Sequence, residues 1–393
     1  MHILLFEPNT QGHHLIYLRC LAEDLLSAGH KVSLAIDNRP AATPLVQARL
    51  GHVLPSCRCV ALFDNTERPR FSSKLNAVAA TLSESGADSV FLPCFDEISS
   101  NLCRRAAFGL MPPAVLKGRI RGIFIRPRVI DGRIGGGFST WLKRVGFARL
   151  YRQGWIDRLY LLDETLPSAL RPGFDPGSFP TLPDPWYGDF KLDRAAARKT
   201  LGLPLDRFIF LHYGTSSRRK GLYLVARAAA TLGADKNFMF VCAGKCADDA
   251  DSRDDLQLLQ SQGRATLFNR HIDDAEEKLL LAASDAVVLA YIGHYGSSAI
   301  LSRAAAANRW VIASDEGLVG HRVRTHNLGL TFKTGDVDAL RTTLSQAISL
   351  VPEVTAAFSP GLAVFAAQHS RESFRTALLA PFSTSAQARP LKL

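Results

Sequence analysis

The 393-residue chain has no run of 18 or more apolar residues, which excludes a membrane-crossing helix at the level of sequence. Its opening, MHILLFEP, lacks the basic start, long apolar middle and small-residue cleavage site of a signal peptide, so a cytoplasmic location is expected. Seven cysteines, an odd number without CxxC or zinc spacing, supply neither a disulfide framework nor a zinc site. They read as mostly small buried apolar residues in a reducing compartment. The GxGxxG fingerprint, the GK[ST] ending of a phosphate loop, HExxH and GxSxG are all missing, and with them go local signatures for NAD binding, NTP hydrolysis, zinc proteolysis and acyl transfer. His13, His14, His294, His321 and His326 show no compact metal spacing, so no metal is expected.

Acid is scarce in one place only. Between Lys117 and Arg158 eleven Lys or Arg stand against two acids, Asp131 and Asp157, and this segment carries nine of the eleven net positive charges. The rest of the chain is close to neutral, so the basic balance belongs to one region.

With 47% hydrophobic and 21% charged residues, the chain has the composition of a soluble globular protein, and its length suits two domains, each able to bury its own core. His2 to Phe6 is a short apolar run, and a helical period from His13 places Leu15, Leu18, Ala22 and Leu25 on one face. Gly29 then stops the helix, and Lys31 to Ile36 forms a second apolar run. This β, helix, β grammar begins a parallel sheet with helical crossovers. Ser89 to Leu92, Gly122 to Ile125 and Asp157 to Leu162 read as buried strands, and from Phe208 the scheme repeats. Proline and glycine crowd between Arg171 and Gly188, where no regular element survives. The expected architecture is α/β, two Rossmann-like doubly wound domains facing across a cleft. The first spans 1–187 and the second 188–355. A C-terminal helix over 356–382 returns toward the first domain, and 383–393 is a tail.

In open α/β sheets ligands sit at the carboxyl ends of strands, so the βα turns carry the chemistry. GTSSRRKG, Gly214 to Gly221, puts Arg218, Arg219 and Lys220 between a strand and a helix, a combination that suits a diphosphate or is a solvated surface turn. In YIGHYGSSAILSRAAAA, Gly296 allows close backbone approach, Ser297 or Ser298 can cap the next helix, and the amides there can bind phosphate.

Taken in order, these turns resemble the glycosyltransferases of the GT-B fold, specifically family 4 (glycosyl transferases group 1). The resemblance rests on GTSSRRKG, matching the spacing of a G-x5-K-G turn with Lys220 at its lysine, and on LDRAAARKTLGLPLDRFIFLHYG before it. Further support comes from DDAEEKLLLAASDAVVLAY, GSSAILSRAAAANRWVIASDEGLVG and TGDVDALRTTLSQAI after it, and it is strongest from about 185 to 350. In the first half it covers QGHHLIYLRCLAEDLLSAGHKVSLAI, which holds Gly12.

The resemblance implies sugar transfer from a nucleoside diphosphate sugar, without cofactor or metal and with retention of configuration, to a glycan or lipid-linked acceptor in polysaccharide or glycoconjugate biosynthesis. It assigns Lys220 to the charge that develops on the leaving diphosphate, with Arg219 beside it. Gly12, Gly214, Thr215, Arg218, Gly296, Ser297, Ser298 and Arg303 are the implied donor contacts. The family's arginine five residues before the lysine is Thr215 here, for which Arg218 or Arg219 can compensate. Its glutamate pair falls on Tyr295 and Arg303, so Arg303 is expected to face a phosphate or an acidic sugar. These departures keep two other readings open, a catalytically degenerate binding or scaffold protein and a sugar-nucleotide epimerase.

Within Ser139 to Trp155, Trp141, Val145, Ala148 and Trp155 are expected on one helix side, flanked by Arg144 and Arg152. Aromatics interleaved with bases over 117–158 suit an anionic membrane surface. The sequence holds no nucleic-acid-binding module, and no nucleic-acid partner is expected. The resulting expectation is a cytoplasmic protein held peripherally at the inner membrane face.

Overall fold

The computed structural model describes residues 1–10, 14–215, 217–233, 235–246, 250–350, 353 and 356–383. The chain divides into two compact units, Met1–Pro183 together with the segment from Phe374 onward, and Asp184–Ser373.

The first unit alternates strand and helix: β1 (His2–Glu7), α1 (His14–Ser27), β2 (Lys31–Ile36), α2 (Thr43–Leu50), β3 (Arg58–Ala61), α3 (Lys74–Ser85), β4 (Ser89–Leu92), α4 (Asp96–Ala107), β5 (Ile120–Phe124), α5 (Phe138–Arg152) and β6 (Ile156–Leu161). All strands are parallel, in the order β3-β2-β1-β4-β5-β6. Both faces of this sheet are covered, and the side-chain alternation of β1 shows how. Ile3 and Leu5 pack with Leu18, Leu21 and Leu25 of α1, whereas Leu4 and Phe6 pack with Val78 of α3, Leu102 of α4 and Phe147 of α5. A strand buried on both faces reads as a continuous apolar run, which is why HILLF was conspicuous in the sequence.

The second unit runs α6 (Arg194–Thr200), β7 (Phe208–Tyr213), α7 (Leu222–Ala230), β8 (Phe238–Ala243), α8 (Arg253–Ser261), β9 (Ala265–Phe268), α9 (Asp274–Ala283), β10 (Ala286–Leu289), α10 (Ala299–Ala306), β11 (Trp310–Ser314), α11 (Gly317–Thr325), β12 (Gly329–Phe332) and α12 (Val337–Ser349). Its parallel sheet has the order β12-β11-β10-β7-β8-β9, the same winding as the first unit. In α7, Leu222, Val225, Ala226 and Ala229 recur at helical spacing and are buried against that sheet. Two Rossmann-like doubly wound domains are therefore present.

Three expectations need correction. The unit boundary lies between Pro183 and Asp184, ahead of Gly188, because the intervening residues are hydrogen-bonded into the second unit. The Asp184 amide donates to His369 Nδ1 (3.2 Å), the Trp186 amide to the His369 carbonyl (3.2 Å), and Trp186 Nε1 to the Ala366 carbonyl (2.7 Å).

The helix expected over 356–382 is two helices, α13 (Ser359–Gln368) and α14 (Arg371–Ser383). Helix α13 stays in the second unit, with Leu362 and Phe365 in its core. At Ser370 the helix restarts, since its hydroxyl accepts the Ser373 amide at 3.1 Å in the manner of an N-cap. From Phe374 the chain belongs to the first unit, where Phe374 and Leu378 are fully buried and the Tyr160 hydroxyl donates to the Leu378 carbonyl at 2.8 Å. Of the tail, 384–393 lies outside the described residues.

The third correction concerns the aromatic stripe. Helix α5 ends at Arg152, because Gly154 takes a left-handed φ of 73° and the Trp155 amide turns back to the Leu150 carbonyl (3.0 Å). Trp155 is thereby buried at the start of β6 and leaves the helix face. Among the described residues no helix is long and apolar enough to cross a membrane.

Candidate functional site

Strands β7 and β10 are neighbours at the position where the strand order of the second unit reverses, with Phe210 opposite Ala286 and Leu211 opposite Val287. The turns that follow them therefore open together at the carboxyl edge of the sheet, the usual ligand position in such folds. Gly214–Gly221 and Tyr291–Ser298, about seventy residues apart in sequence, are brought together there, and backbone contact locks them: the Ile292 amide donates to the Arg219 carbonyl at 2.9 Å.

Glycine is required at two places in this junction. Gly221 has φ 68° and lies so close to the Ala290 carbonyl that a Cβ would collide with it. Gly214 has φ 119°, and a Cβ there would strike Lys220 Nζ, so the ammonium lies directly over the start of the turn. A short 3-10 turn, Arg218–Lys220, then separates the three basic side chains. Arg218 turns outward, where it pairs with Asp251 at 2.8 Å and stacks over Tyr223. Arg219 turns the other way and contacts His294 Nδ1 across the junction. Lys220 Nζ lies 6.0 Å from the Tyr291 ring centroid. Among the described residues neither Arg219 nor Lys220 has a carboxylate partner.

Behind Lys220, His212 of β7 is fully enclosed. Burial, reinforced by the Lys220 charge, pushes its pKa down to about 3, so it is neutral and adds no second positive charge behind Lys220. Two cations without acids, aimed between a strand end and a helix start, form an anion-binding arrangement. Beside them, Tyr291, His294, Tyr295, Ser314, Glu316 and Gly317 line a small pocket of about 50 Å³. Ser314 Oγ is buried there without a hydrogen-bond partner among the described residues.

The β10–α10 turn differs from expectation in its serines. Neither hydroxyl caps α10. Ser297 Oγ accepts from Arg322 at 2.7 Å, and Arg322, only 1% exposed, also donates to the Ser297 carbonyl at 3.1 Å. Ser298 sits at the N-cap position but in a left-handed conformation, φ 64°, with its hydroxyl 3.2 Å from that of Tyr291. The turn is held by buried arginine and tyrosine rather than by a cap. Gly296 lies under the His294 ring, which a Cβ would touch at 3.2 Å.

Arg303 also departs from expectation. Its guanidinium is paired with Glu277 of α9 at 2.5 Å, and both side chains are largely buried. Burial opposes the charge, but Glu277, through its own charge and the hydrogen bond, holds Arg303 above the ordinary arginine range. Arg303 is thus engaged by a carboxylate, whereas a phosphate or acidic sugar was expected, and an acid occupies the neighbourhood of position 303 by way of another helix. Tyr295 is half exposed at the pocket mouth. Thr215 is exposed, and Gly12 lies outside the described residues.

Residues 193–356, which contain all of these second-unit contacts, match the family model described as glycosyl transferases group 1. Over that segment the chain is similar to the group 1 glycosyltransferases. No curated protein matches the chain. Among solved structures, Anabaena HepE in complex with UDP superposes with a TM-score of 0.70 at 15% identity, covering 98% of this chain and 100% of that one. Sucrose-phosphate synthase from Thermosynechococcus elongatus gives 0.68 at 17% identity, over 98% of this chain and 100% of that one. WaaG, a glycosyltransferase involved in lipopolysaccharide biosynthesis, gives 0.62 at 15% identity, over 96% and 99%. At these identities the likeness is one of fold, and it extends over both units.

Outside the matched segment, the first unit has its own reversal point between β1 and β4, and sequence reasoning passed over what stands there. Glu7, 1% exposed at the end of β1, accepts the Asn9 amide on one oxygen (2.9 Å) and His14 Nδ1 on the other (2.9 Å). Glu97 of α4 pairs with Lys74 of α3 nearby. The Glu7 hydrogen bond raises the His14 pKa above its ordinary value against the effect of burial, Glu97 adding and Lys74 subtracting. A glutamate seven residues before a histidine, across a strand end and a helix start, was the available signal.

Proposed function

We propose that this protein transfers a sugar from a nucleoside diphosphate sugar to a glycan or lipid-linked acceptor, in polysaccharide or glycoconjugate biosynthesis at the cytoplasmic face of a membrane. The observation that carries the reading is the meeting of Arg219 and Lys220, without carboxylate partners among the described residues, with the β10–α10 turn at the reversal point of the glycosyltransferase domain. The complexes of HepE with UDP and with UDP-glucose support a uridine nucleotide as the first donor to try.

The diphosphate sits against Lys220 and Arg219, and Gly214 and Gly221 let backbone and substrate approach closely. As the glycosidic bond to the diphosphate breaks, negative charge accumulates on the leaving group, and cations already in place stabilise that charge more than the ground state. Arg218, committed to Asp251 at the surface, contributes field rather than contact. Arg303 and Glu277 act as one neutral pair that supports the turn. Retention of the anomeric configuration follows from the family resemblance and is read from the product anomer.

A panel of UDP-, GDP- and other nucleotide sugars, assayed for binding, hydrolysis and transfer, tests the proposal. One donor class binding, with loss of turnover in Lys220→Ala, supports it. No binding by any donor, with Lys220→Ala indistinguishable from the parent, rejects it. Turnover with any donor removes the scaffold reading, and conversion of a sugar nucleotide without acceptor favours an epimerase.

A further inference from the structure

The acid-poor segment of the first unit carries, midway along its length, an exposed aromatic pair that the proposed sugar transfer does not use. Helix α5 starts at Phe138 after the loop Gly135–Gly137, and Phe138 is 75% and Trp141 52% exposed. Their rings stack on each other with centroids 5.6 Å apart and planes 26° apart, so they form one apolar wedge. Large aromatics are normally placed where one end is dry, and two of them stacked in water at a helix start are unsatisfied apolar surface.

Along the chain on either side of the wedge the charge is of one sign. From Lys117 through Ile156 the only acid is Asp131. Asp131 is buried and held by Arg133 through two hydrogen bonds of 2.9 Å. Arg121 is likewise neutralised by Asp157. The bases of α5 itself are different. Arg144 donates to the Ile134 and Gly135 carbonyls, and Arg149 to those of Ala106 and Ala107, contacts that fix the side chains and leave their charge intact. Together with Lys143 and Arg152 they make four cations on one helix with no carboxylate partner among the described residues. Arg104 of α4 reaches Ser139 at 3.5 Å and adds a fifth cation beside the wedge.

We infer that Phe138 and Trp141 insert into an anionic lipid surface, with Arg104, Lys143, Arg144, Arg149 and Arg152 supplying the attraction to its headgroups. Apolar side chains alone would bind any bilayer, and bases alone any polyanion, but the two on one helix select an anionic membrane. Arg144 has a second role, tying the Gly-rich loop to the helix so that the wedge is presented ready-made. This deepens the membrane part of the proposed function and rests on it. Sugar transfer is not involved.

Full-length protein is sedimented with vesicles of phosphatidylcholine alone or mixed with phosphatidylglycerol, at low and high salt and without nucleotide sugar, so failure here is separable from failure of donor transfer. The expected result is binding to the mixed vesicles that weakens with salt. The double variant Phe138→Ser/Trp141→Ser should bind at least about tenfold more weakly, with an unchanged melting transition because both side chains are exposed. Of the four tryptophans Trp141 is the exposed one, Trp155 and Trp310 being buried and Trp186 partly buried with its indole N–H bonded to the Ala366 carbonyl, so brominated lipid should quench the emission of the parent. Trp141→Phe should keep binding and lose most of that quenching. Absence of binding at low salt, equal binding by the double variant, or no quenching overturns the inference. So does a double variant that converts a dimer into a monomer, which would make the wedge a contact between copies of this chain.

Discussion

The two units repeat one winding order, β3-β2-β1-β4-β5-β6 and β9-β8-β7-β10-β11-β12, yet what stands at their reversal points has opposite character. In the second unit Arg219 and Lys220 lie there without carboxylate partners among the described residues, over a neutral buried His212. In the first, Glu7 and Glu97 stand at the same topological place and hold His14 and Lys74. Away from these points the balance inverts again, since the basic segment lies in the first unit. Backbone topology sets where a site opens, and a few side chains on the βα turns decide what it can bind. Net charge, taken over a whole chain or even a whole domain, says little about either.

That contrast can be broken at several strengths. The largest effect is expected at Glu277. Replacing it by Gln leaves Arg303 buried without its counter-charge, which should cost about 4 kcal/mol of unfolding free energy in the second unit, measured by denaturant titration, and a paired Glu277→Leu/Arg303→Met change should recover much of it. If the single variant is as stable as the parent, the ion pair does not support the β10–α10 turn.

Gly221→Ala comes next, because the new Cβ meets the Ala290 carbonyl and the left-handed φ is strained for alanine. Loss of about 3 kcal/mol is expected, together with donor binding, read by thermal unfolding and calorimetry. A variant that binds donor normally would show that the junction of the two turns is dispensable.

The smallest effect is the pH response of the first unit. The hydrogen bond to Glu7 raises the folded-state pKa of His14 above 6.5, so protonated His14 stabilises the fold fully below 6.5, and this contribution is lost as pH rises through the raised folded value. Unfolding temperatures of the parent should therefore decline over that window relative to Glu7→Gln. Parallel curves for the two proteins would mean that the pair carries no proton-linked stability.

Much of the fold was legible because strands covered on both faces are continuous apolar runs. Lys31–Ile36 and Ser89–Leu92 coincide with β2 and β4, and the strand expected over Gly122–Ile125 begins two residues earlier at Ile120. Strand β3 was not legible, since Arg58 and Cys59 at the sheet edge are exposed and interrupt any apolar pattern. The turns at Gly214–Gly221 and Tyr291–Ser298 were visible through glycine, serine and base placement. Their meeting was not, because it depends on β7 and β10 being neighbours, a fact of topology rather than of local sequence. The same holds for Glu277 and Arg303, which are 26 residues apart and meet only in the folded chain. Trp155 was misplaced on the α5 face because Gly154 ends the helix one turn before the aromatic spacing suggests.

The central claim is that Lys220, at the junction of the β7–α7 and β10–α10 turns, binds the donor diphosphate. Calorimetric titration of UDP into the parent and into Lys220→Ala tests it most directly. Loss of one charge-assisted contact predicts weakening by about tenfold to a hundredfold, with unfolding temperature unchanged. Equal UDP affinity in the two proteins would contradict it.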